Sequence, residues 1–536
     1  MTTTPPSWIT ATPPTPNGPL HIGHLAGPYV AGDVLRRFLG AEGHDVLYTT
    51  GLDDHQTYVP VRGAKDGGRS GEDVADGHTE TIEHVWRTAG VDFDQLVHPR
   101  TDPGYTEFVQ EFLQRLYDAG HLVARTRPLP YCEPCERWLY EAYVVGDCPH
   151  CGSRSNGNAC EPCGRPNDCA DLLDPHCTLC GERPALRDCR RLYFPLAAFT
   201  DDLAAFWERV DMPPHLRALC ERMAADGLPE IAVSHPGDWG IPVPVEGLRD
   251  QRIYVWFEMA PGYLREYSQA RGHLPATPPA PVQFFGIDNG YFHALLFPAA
   301  FTAYDRSIPL PRAFVVNEFY RLEGLKFSTS RQHAVWAHEE LARTSPDVLR
   351  YHVLADRPEG RQTSFSLTAL ARSRDHLTRD WNDWLLALFT AVADECDGRA
   401  PAEAPRGQLW DRLSTRLRQD VTALREAYGV DGFDTRRAIA LLDEIVAGAA
   451  VFGHVSAHER DRPRGETAHR AALAGQLAVA AALSAWAAPA LPHGSARLAA
   501  LLGLAPGRRV HEDALVPPAP GTVLGTPAQA KEIFGA

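Results

Sequence analysis

The 536-residue sequence predicts an α/β chain, with a parallel sheet split by a cysteine-rich insertion and followed by a helical bundle. Three observations predict it. Ser7–Ala11 reads as a short apolar strand that enters the turn Pro16-Asn17-Gly18-Pro19-Leu20-His21-Ile22-Gly23-His24 and then a helical pattern over Leu25–Leu39. Ten of the twelve cysteines fall between Cys132 and Cys189, inside otherwise alternating strand and helix patterns. From about 366 to 503 the periodicity is wholly helical. A strand, a glycine-containing turn and a helix open a Rossmann-type unit, so the fold class is a split Rossmann-type parallel-sheet domain with a zinc-knuckle insertion and a C-terminal α-helical bundle.

Taken in order, the first turn carries chemistry. First-turn backbone N–H groups of the helix are expected to face an anion, and His21 and His24 stand beside them as donors to phosphate oxygens gaining charge. His44–Thr50 reads as the second strand, ending at Gly51-Leu52-Asp53-Asp54-His55, where an open parallel sheet places its ligand. Residues 72–120 look helical, and His121–Pro130 leads as a strand into the cysteines. After a helical stretch at 200–226 come a turn at 238–244, a strand candidate at Arg252–Glu258 and a strand at Val282–Gly286. A further strand at Arg312–Val316 precedes the loop Gly324-Leu325-Lys326-Phe327-Ser328-Thr329-Ser330. Helices are expected at 376–394, 407–428, 434–453 and 466–487, and a Pro- and Gly-rich tail is expected to drape over the surface. The implied units are 1–120 and 231–365 (the two halves of the sheet domain), 121–230 (the insertion), 366–503 (the bundle) and 504–536 (the tail).

The cysteine pairs Cys132/Cys135, Cys148/Cys151, Cys160/Cys163 and Cys177/Cys180 each form a Cys-x-x-Cys knuckle. Two thiolates per knuckle make eight ligands, enough for two closed, structural Zn2+ sites. Net charge is −16, which gives no global attraction to nucleic acid. No apolar run suggests a membrane span, and the start lacks a signal-peptide pattern, so a cytoplasmic setting without membrane association is expected.

These residues together resemble the class I aminoacyl-tRNA synthetases, and within them the methionyl branch. His21-Ile22-Gly23-His24 matches the first signature of that class, and Lys326-Phe327-Ser328-Thr329-Ser330 resembles the second. The knuckles, Asp238-Trp239-Gly240, Tyr254-Val255-Trp256 and Gly286-Ile287-Asp288 follow in the family's order. The resemblance implies joining an amino-acid carboxylate to the α-phosphate of ATP, with Mg2+ on the phosphates. It implies that His21, His24 and Lys326 are catalytic, and that Asn17, Gly18, Gly23, Asp288, Ser328, Thr329 and Ser330 hold ATP. It further implies an amino-acid pocket of Pro13, Asp53, Trp256, Tyr263 and His293, with Asp53 on the α-ammonium group.

The sequence also departs from the family. Thr329 replaces the second lysine of the loop, although Lys326 persists in a chain with only Lys65 and Lys531 besides. Pro13 and Thr15 stand where a leucine and an aromatic are usual in the pocket. Aligned through Trp381, Asp383 and Ala387 occupy the positions of the anticodon-reading Asn and Arg, and no tryptophan lies near His454-Val455-Ser456. An acid facing RNA is unfavourable, and the stacking aromatic is missing. These departures favour passing the activated acyl group to a small acceptor such as an N-hydroxylated amine. That resembles the synthetase-like half of hydrazine synthetases, whose cupin partner would here be a separate chain. The alternatives are a conventional methionyl-tRNA synthetase acting on tRNA and methionine, and a non-catalytic regulatory paralog.

Overall fold

The computed structural model describes residues 7–275, 277–327, 334–458 and 465–535, apart from the side chain of Lys326. Its centre is a five-stranded parallel sheet of β1 (Ser7–Ala11), β2 (Val46–Gly51), β3 (Gln95–Val97), β4 (Val282–Gly286) and β5 (Ala313–Asn317), in the spatial order β5-β4-β1-β2-β3. Every strand is apolar on both faces, as a sheet covered on both sides requires. Ile9, Tyr48, Phe284 and Val315 join one core, while Trp8, Leu47, Phe285 and Phe314 join the other.

The first core is closed by helix α1 (Val30–Ala41), helix α2 (Gly71–Thr88) and the C-terminal bundle. The second is closed by α3 (Tyr105–Asp118), α4 (Val255–Arg271) and the helices that follow the insertion. Two sequence expectations need correction. The presumed helix across 72–120 is α2 and α3 with strand β3 between them, a three-residue edge strand too short to show a period of two. The strand expected at Arg252–Glu258 is limited to Gln251–Ile253, and Val255 starts α4. Short apolar runs of aromatic and β-branched residues fit a strand or a buried helix equally well.

The insertion hangs on an antiparallel ribbon, Val123–Cys132 against Ala185–Pro195, with Val123 opposite Tyr193 and Tyr131 opposite Ala185. Beyond it, Glu141–Asp147 pairs with Arg154–Gly157 and with Leu173–Cys177.

The bundle includes α5 (Pro346–Ala355), α6 (Asn382–Cys396), α7 (Gln408–Tyr428), α8 (Thr435–Ala457), α9 (Gly465–Trp486) and α10 (Pro492–Leu501), with a further helix, Leu367–His376, between α5 and α6. Helix α8 is long and apolar enough to match a membrane span, with a mean hydropathy of 1.7, contrary to the sequence expectation. Its Ala438, Ile439, Leu442, Ile445 and Val446 are packed in the common core, and its Asp443 and Glu444 make ion pairs, which suits a bundle helix. The tail sits deeper than a surface strap. Val510, Ile533 and Phe534 are fully buried, and the Asn382 side chain bonds the backbone N–H and C=O of Phe534 at 2.9 and 2.5 Å.

Candidate active site

Strand β1 lies between β2 and β4, so the chain leaves its carboxyl end in opposite directions and opens a crevice there. A cavity of about 390 Å³ occupies that crevice. Pro13, Thr15, His21, Gly23, His24, Asp53, Trp256 and Asp288 line it. Residues scattered over 276 positions of sequence thus meet at one switch point.

His21 caps and His24 ends a one-turn helix, Ile22–His24, that continues as a π-turn over Leu25–Tyr29, where Gly27 departs from helical geometry. Single π-turns of this kind recur at functional sites. Three N–H groups at this helix start have partners within the chain. The His21 N–H donates to His24 Nδ1 at 3.1 Å, the Ile22 N–H to Val335 O at 3.0 Å, and the His24 N–H to His21 O at 3.0 Å. With those donors taken, the imidazoles carry the anion-facing chemistry. An accepting Nδ1 leaves the proton of a neutral His24 ring on Nε2, and burial lowers its pKa to about 4, so the ring is a neutral donor at physiological pH. The His21 and His24 rings are 3.9 Å apart. Gly23 is required here because a Cβ would stand 2.9 Å from the His21 ring.

The second signature meets the first directly. Phe327 stacks on His21 at 4.5 Å, nearly parallel, while His21 bridges to Trp336 and the Ala337 N–H donates to Leu20 O. Leu325–Lys326 forms a short strand against Arg321 and Leu322. The Lys326 side chain and residues Ser328, Thr329 and Ser330 lie outside the described residues. Asn17 and Gly18 shape the preceding turn, with the Asn17 N–H on Thr15 O at 2.9 Å, and stand outside the cavity lining. Gly286 leaves room for Asp288, whose Oδ1 lies 2.5 Å from where a Cβ would be.

Asp53 is almost fully buried. Its Oδ2 accepts from the Thr15 hydroxyl at 2.7 Å, and Oδ1 has no hydrogen-bond partner among the described residues. Burial pushes its pKa up to about 7, against the pull of the Thr15 hydrogen bond. An orphaned carboxylate oxygen in a cleft is an acceptor built for a cationic or hydrogen-bonding guest.

Trp256 borders the cleft from the first turn of α4 and stacks on Phe292 at 3.8 Å. Tyr263 and His293 are buried behind the lining. His293 lies 3.2 Å from Thr12 Oγ1 and 3.1 Å from Gln283 Oε1, its ring stacks on Phe285, and burial lowers its pKa to about 3. Sequence reasoning missed Phe327 as the partner of His21, and it missed Asn158 and Glu161, which the insertion brings to the cleft edge. Phe327 had a signal, an aromatic inside the lysine–serine loop. Asn158 and Glu161 had none, because only tertiary packing carries them there.

The knuckles pair in a nested order that spacing left open. Cys132, Cys135, Cys177 and Cys180 form one tetrad, and Cys148, Cys151, Cys160 and Cys163 the other. In each, the sulfurs lie within 4.8 Å of one another, including Cys132–Cys180 at 3.4 Å and Cys151–Cys160 at 3.6 Å. Tetrahedral thiolates about 2.3 Å from a zinc ion stand about 3.8 Å apart, so both tetrads fit Zn2+.

The family model for class I tRNA synthetases (M) matches residues 7–383. The chain belongs to that family. Membership places it by class among the ATP-dependent amino-acid-activating ligases. A methionine–tRNA ligase of Thermomicrobium roseum is 36% identical over 401 residues, covering 72% of this chain and 68% of that protein. One from Porphyromonas gingivalis is 34% identical over 449 residues, covering 80% of this chain and 64% of that protein. The synthetase-family chain therefore spans about two thirds of the length of these curated relatives. The structure of Mycobacterium tuberculosis methionyl-tRNA synthetase in complex with methionyl-adenylate superposes with a TM-score of 0.81 at 22% identity, over 97% of this chain and 98% of that one. It shares the fold.

Proposed function

We propose that this synthetase-family chain activates an amino acid, methionine by analogy with its relatives, as an aminoacyl adenylate and transfers the acyl group to tRNA. The observation that carries the activation step is the meeting of Asp53 with His21 and His24 in one cleft. The orphaned Asp53 Oδ1 receives the α-ammonium group, which sets the amino acid's carboxylate toward the histidines. His24 donates through Nε2 to phosphate oxygen, and Gly23 lets His21 lie against it. Trp256 and Phe292 give the side chain an apolar stacked wall. ATP supplies the α-phosphate that the carboxylate attacks, and pyrophosphate leaves. Lys326 is assigned to the leaving phosphates on its place in the family's loop. Among the described residues, the metal-ligating clusters are the two cysteine tetrads, so Mg2+ would come with the nucleotide while Zn2+ holds the insertion together. Reduced Cys-x-x-Cys ligands suit a cytoplasmic setting.

The relatives' names support tRNA as acceptor over the small molecule toward which the sequence departures lean. One observation keeps the small acceptor as a second reading. Asp383 and Ala387 share an exposed face of α6, and His454 and Val455 are exposed at the end of α8, so the aligned surface offers RNA an acid and an imidazole in place of a tryptophan. The deciding experiment is amino-acid-dependent ATP–pyrophosphate exchange over an amino-acid panel, followed by tRNA charging. Methionine-dependent exchange with stable charging of tRNA is the expected result. Exchange without charging would transfer the conclusion to the small acceptor, and no exchange with any amino acid would overturn activation itself.

A further inference from the structure

A second cavity, of about 490 Å³, lies where the insertion meets the sheet domain. Asn158 lines both cavities, and the same two segments serve each. Tyr254 and Tyr291 border the second cavity, while their near neighbours Trp256 and Phe292 border the first. Met223, Ile231 and Ala232 make much of its wall apolar.

Two buried donors lie in this lining without partners. Arg191, 1% exposed, pairs with Asp168 at 3.2 and 3.4 Å through Nη2 and lies 3.5 Å from His235 Nδ1 through Nη1, while its Nε–H has no hydrogen-bond partner among the described residues. Tyr291, also 1% exposed, has no partner for its hydroxyl among the described residues. Burial raises the Tyr291 pKa well above its ordinary value, which keeps the hydroxyl a donor. Buried donors are costly to leave unpaired, and an acceptor group on a guest relieves that cost. A guanidinium edge matches a carboxylate in shape and charge.

We propose that the second cavity binds a small organic carboxylate with an apolar body, its head group held by Arg191 and Tyr291 and its body against Met223 and Ile231. Across Asn158, the occupant is a neighbour of whatever fills the first cleft. The site needs no assumption about the reaction there.

The test is equilibrium binding of hippurate and its primary amide, hippuramide, to the full-length protein by calorimetry. Hippurate is expected to bind saturably, at least about tenfold more tightly than the amide, as recognition by a charged donor implies. Tyr291→Phe removes only the hydroxyl and is expected to weaken hippurate binding severalfold. Ala232→Trp adds bulk to the cavity wall and is expected to abolish it. Should Ala232→Trp fail to fold, Tyr291→Phe still decides. No saturable binding by hippurate, equal affinity for the amide, or binding unmoved by Tyr291→Phe would each overturn the proposal. Pyrophosphate exchange on the same preparation reads activation separately, so failure of one reading leaves the other measured.

Discussion

At His24 the backbone N–H of His21 holds Nδ1 as an acceptor, so the neutral ring has its single proton on Nε2. Because burial keeps that ring neutral down to about pH 4, His24 stabilises negative charge by hydrogen bonding rather than as a cation. His24→Ala is expected to lower the exchange rate on the order of 100-fold while leaving the amino-acid KM within a few fold, measured by steady-state exchange. Asp53 behaves oppositely, because its charge is the point. In the folded protein it keeps its proton up to about pH 7, whereas in the unfolded chain it loses it near 3.8. The folded state therefore binds the extra proton between those values. The stabilisation that this gives is complete at low pH and is lost as pH rises through 7. Asp53→Asn is expected to raise Tm relative to the parent at about pH 8 and by less than half as much at about pH 5, with amino-acid-dependent exchange lost at both. For the parent enzyme, kcat/KM for the amino acid should rise with pH to a plateau above about 7, since only the ionised carboxylate pairs with the ammonium group. A flat profile would remove Asp53 from the ammonium site.

The second knuckle is an element whose effect reaches beyond its own metal. It carries Asn158 between Cys151 and Cys160, and that residue borders both cavities. Metal analysis should find two Zn2+ per chain, one for each tetrad. Cys148→Ser is expected to lose one of them and, by loosening the roof of the cleft, to lower exchange on the order of 10- to 100-fold without unfolding the sheet domain. Full exchange with one zinc gone would show that the roof is dispensable. This is also the scale at which the sequence stopped being legible. Knuckle spacing announced eight ligands, but the nested pairing of Cys132/Cys135 with Cys177/Cys180 depends on the sheet Glu141–Asp147 folding back between them. The strand at β4 and the turn at His21 were legible because burial and punctuation coincide there. Trp256 was misplaced onto a strand because α4 begins in a run of apolar and aromatic residues that carries no period of its own.

Over the whole molecule, one side chain joins parts that the sequence shows only as separate patterns. Arg350, on α5, is 1% exposed and pairs with the fully buried Asp33 of α1 at 2.7 Å. Its remaining N–H groups bond Ala89 O and Gly90 O just beyond α2, and Pro489 O and Ala490 O between α9 and α10. Arg37 approaches the same Asp33 oxygen at 2.8 Å. The sheet domain and the bundle thus share one buried charge network as well as one apolar core. Such a network adds little over an apolar replacement of its whole set, but removing one member leaves the others charged and unpaired in a medium that cannot solvate them. Arg350→Ala is therefore expected to destabilise the protein by about 3–5 kcal/mol, read from chemical denaturation. Because the lost donors serve helices on both sides, the variant should separate one unfolding transition into two, with the bundle melting before the sheet domain. Asp33 keeps Arg37 as a partner in that variant, and Arg350→Lys, which keeps a cation beside Asp33 but cannot serve four carbonyls, should recover only part of the loss. Full recovery would mean that the ion pair, rather than the four backbone carbonyls, binds the two halves together.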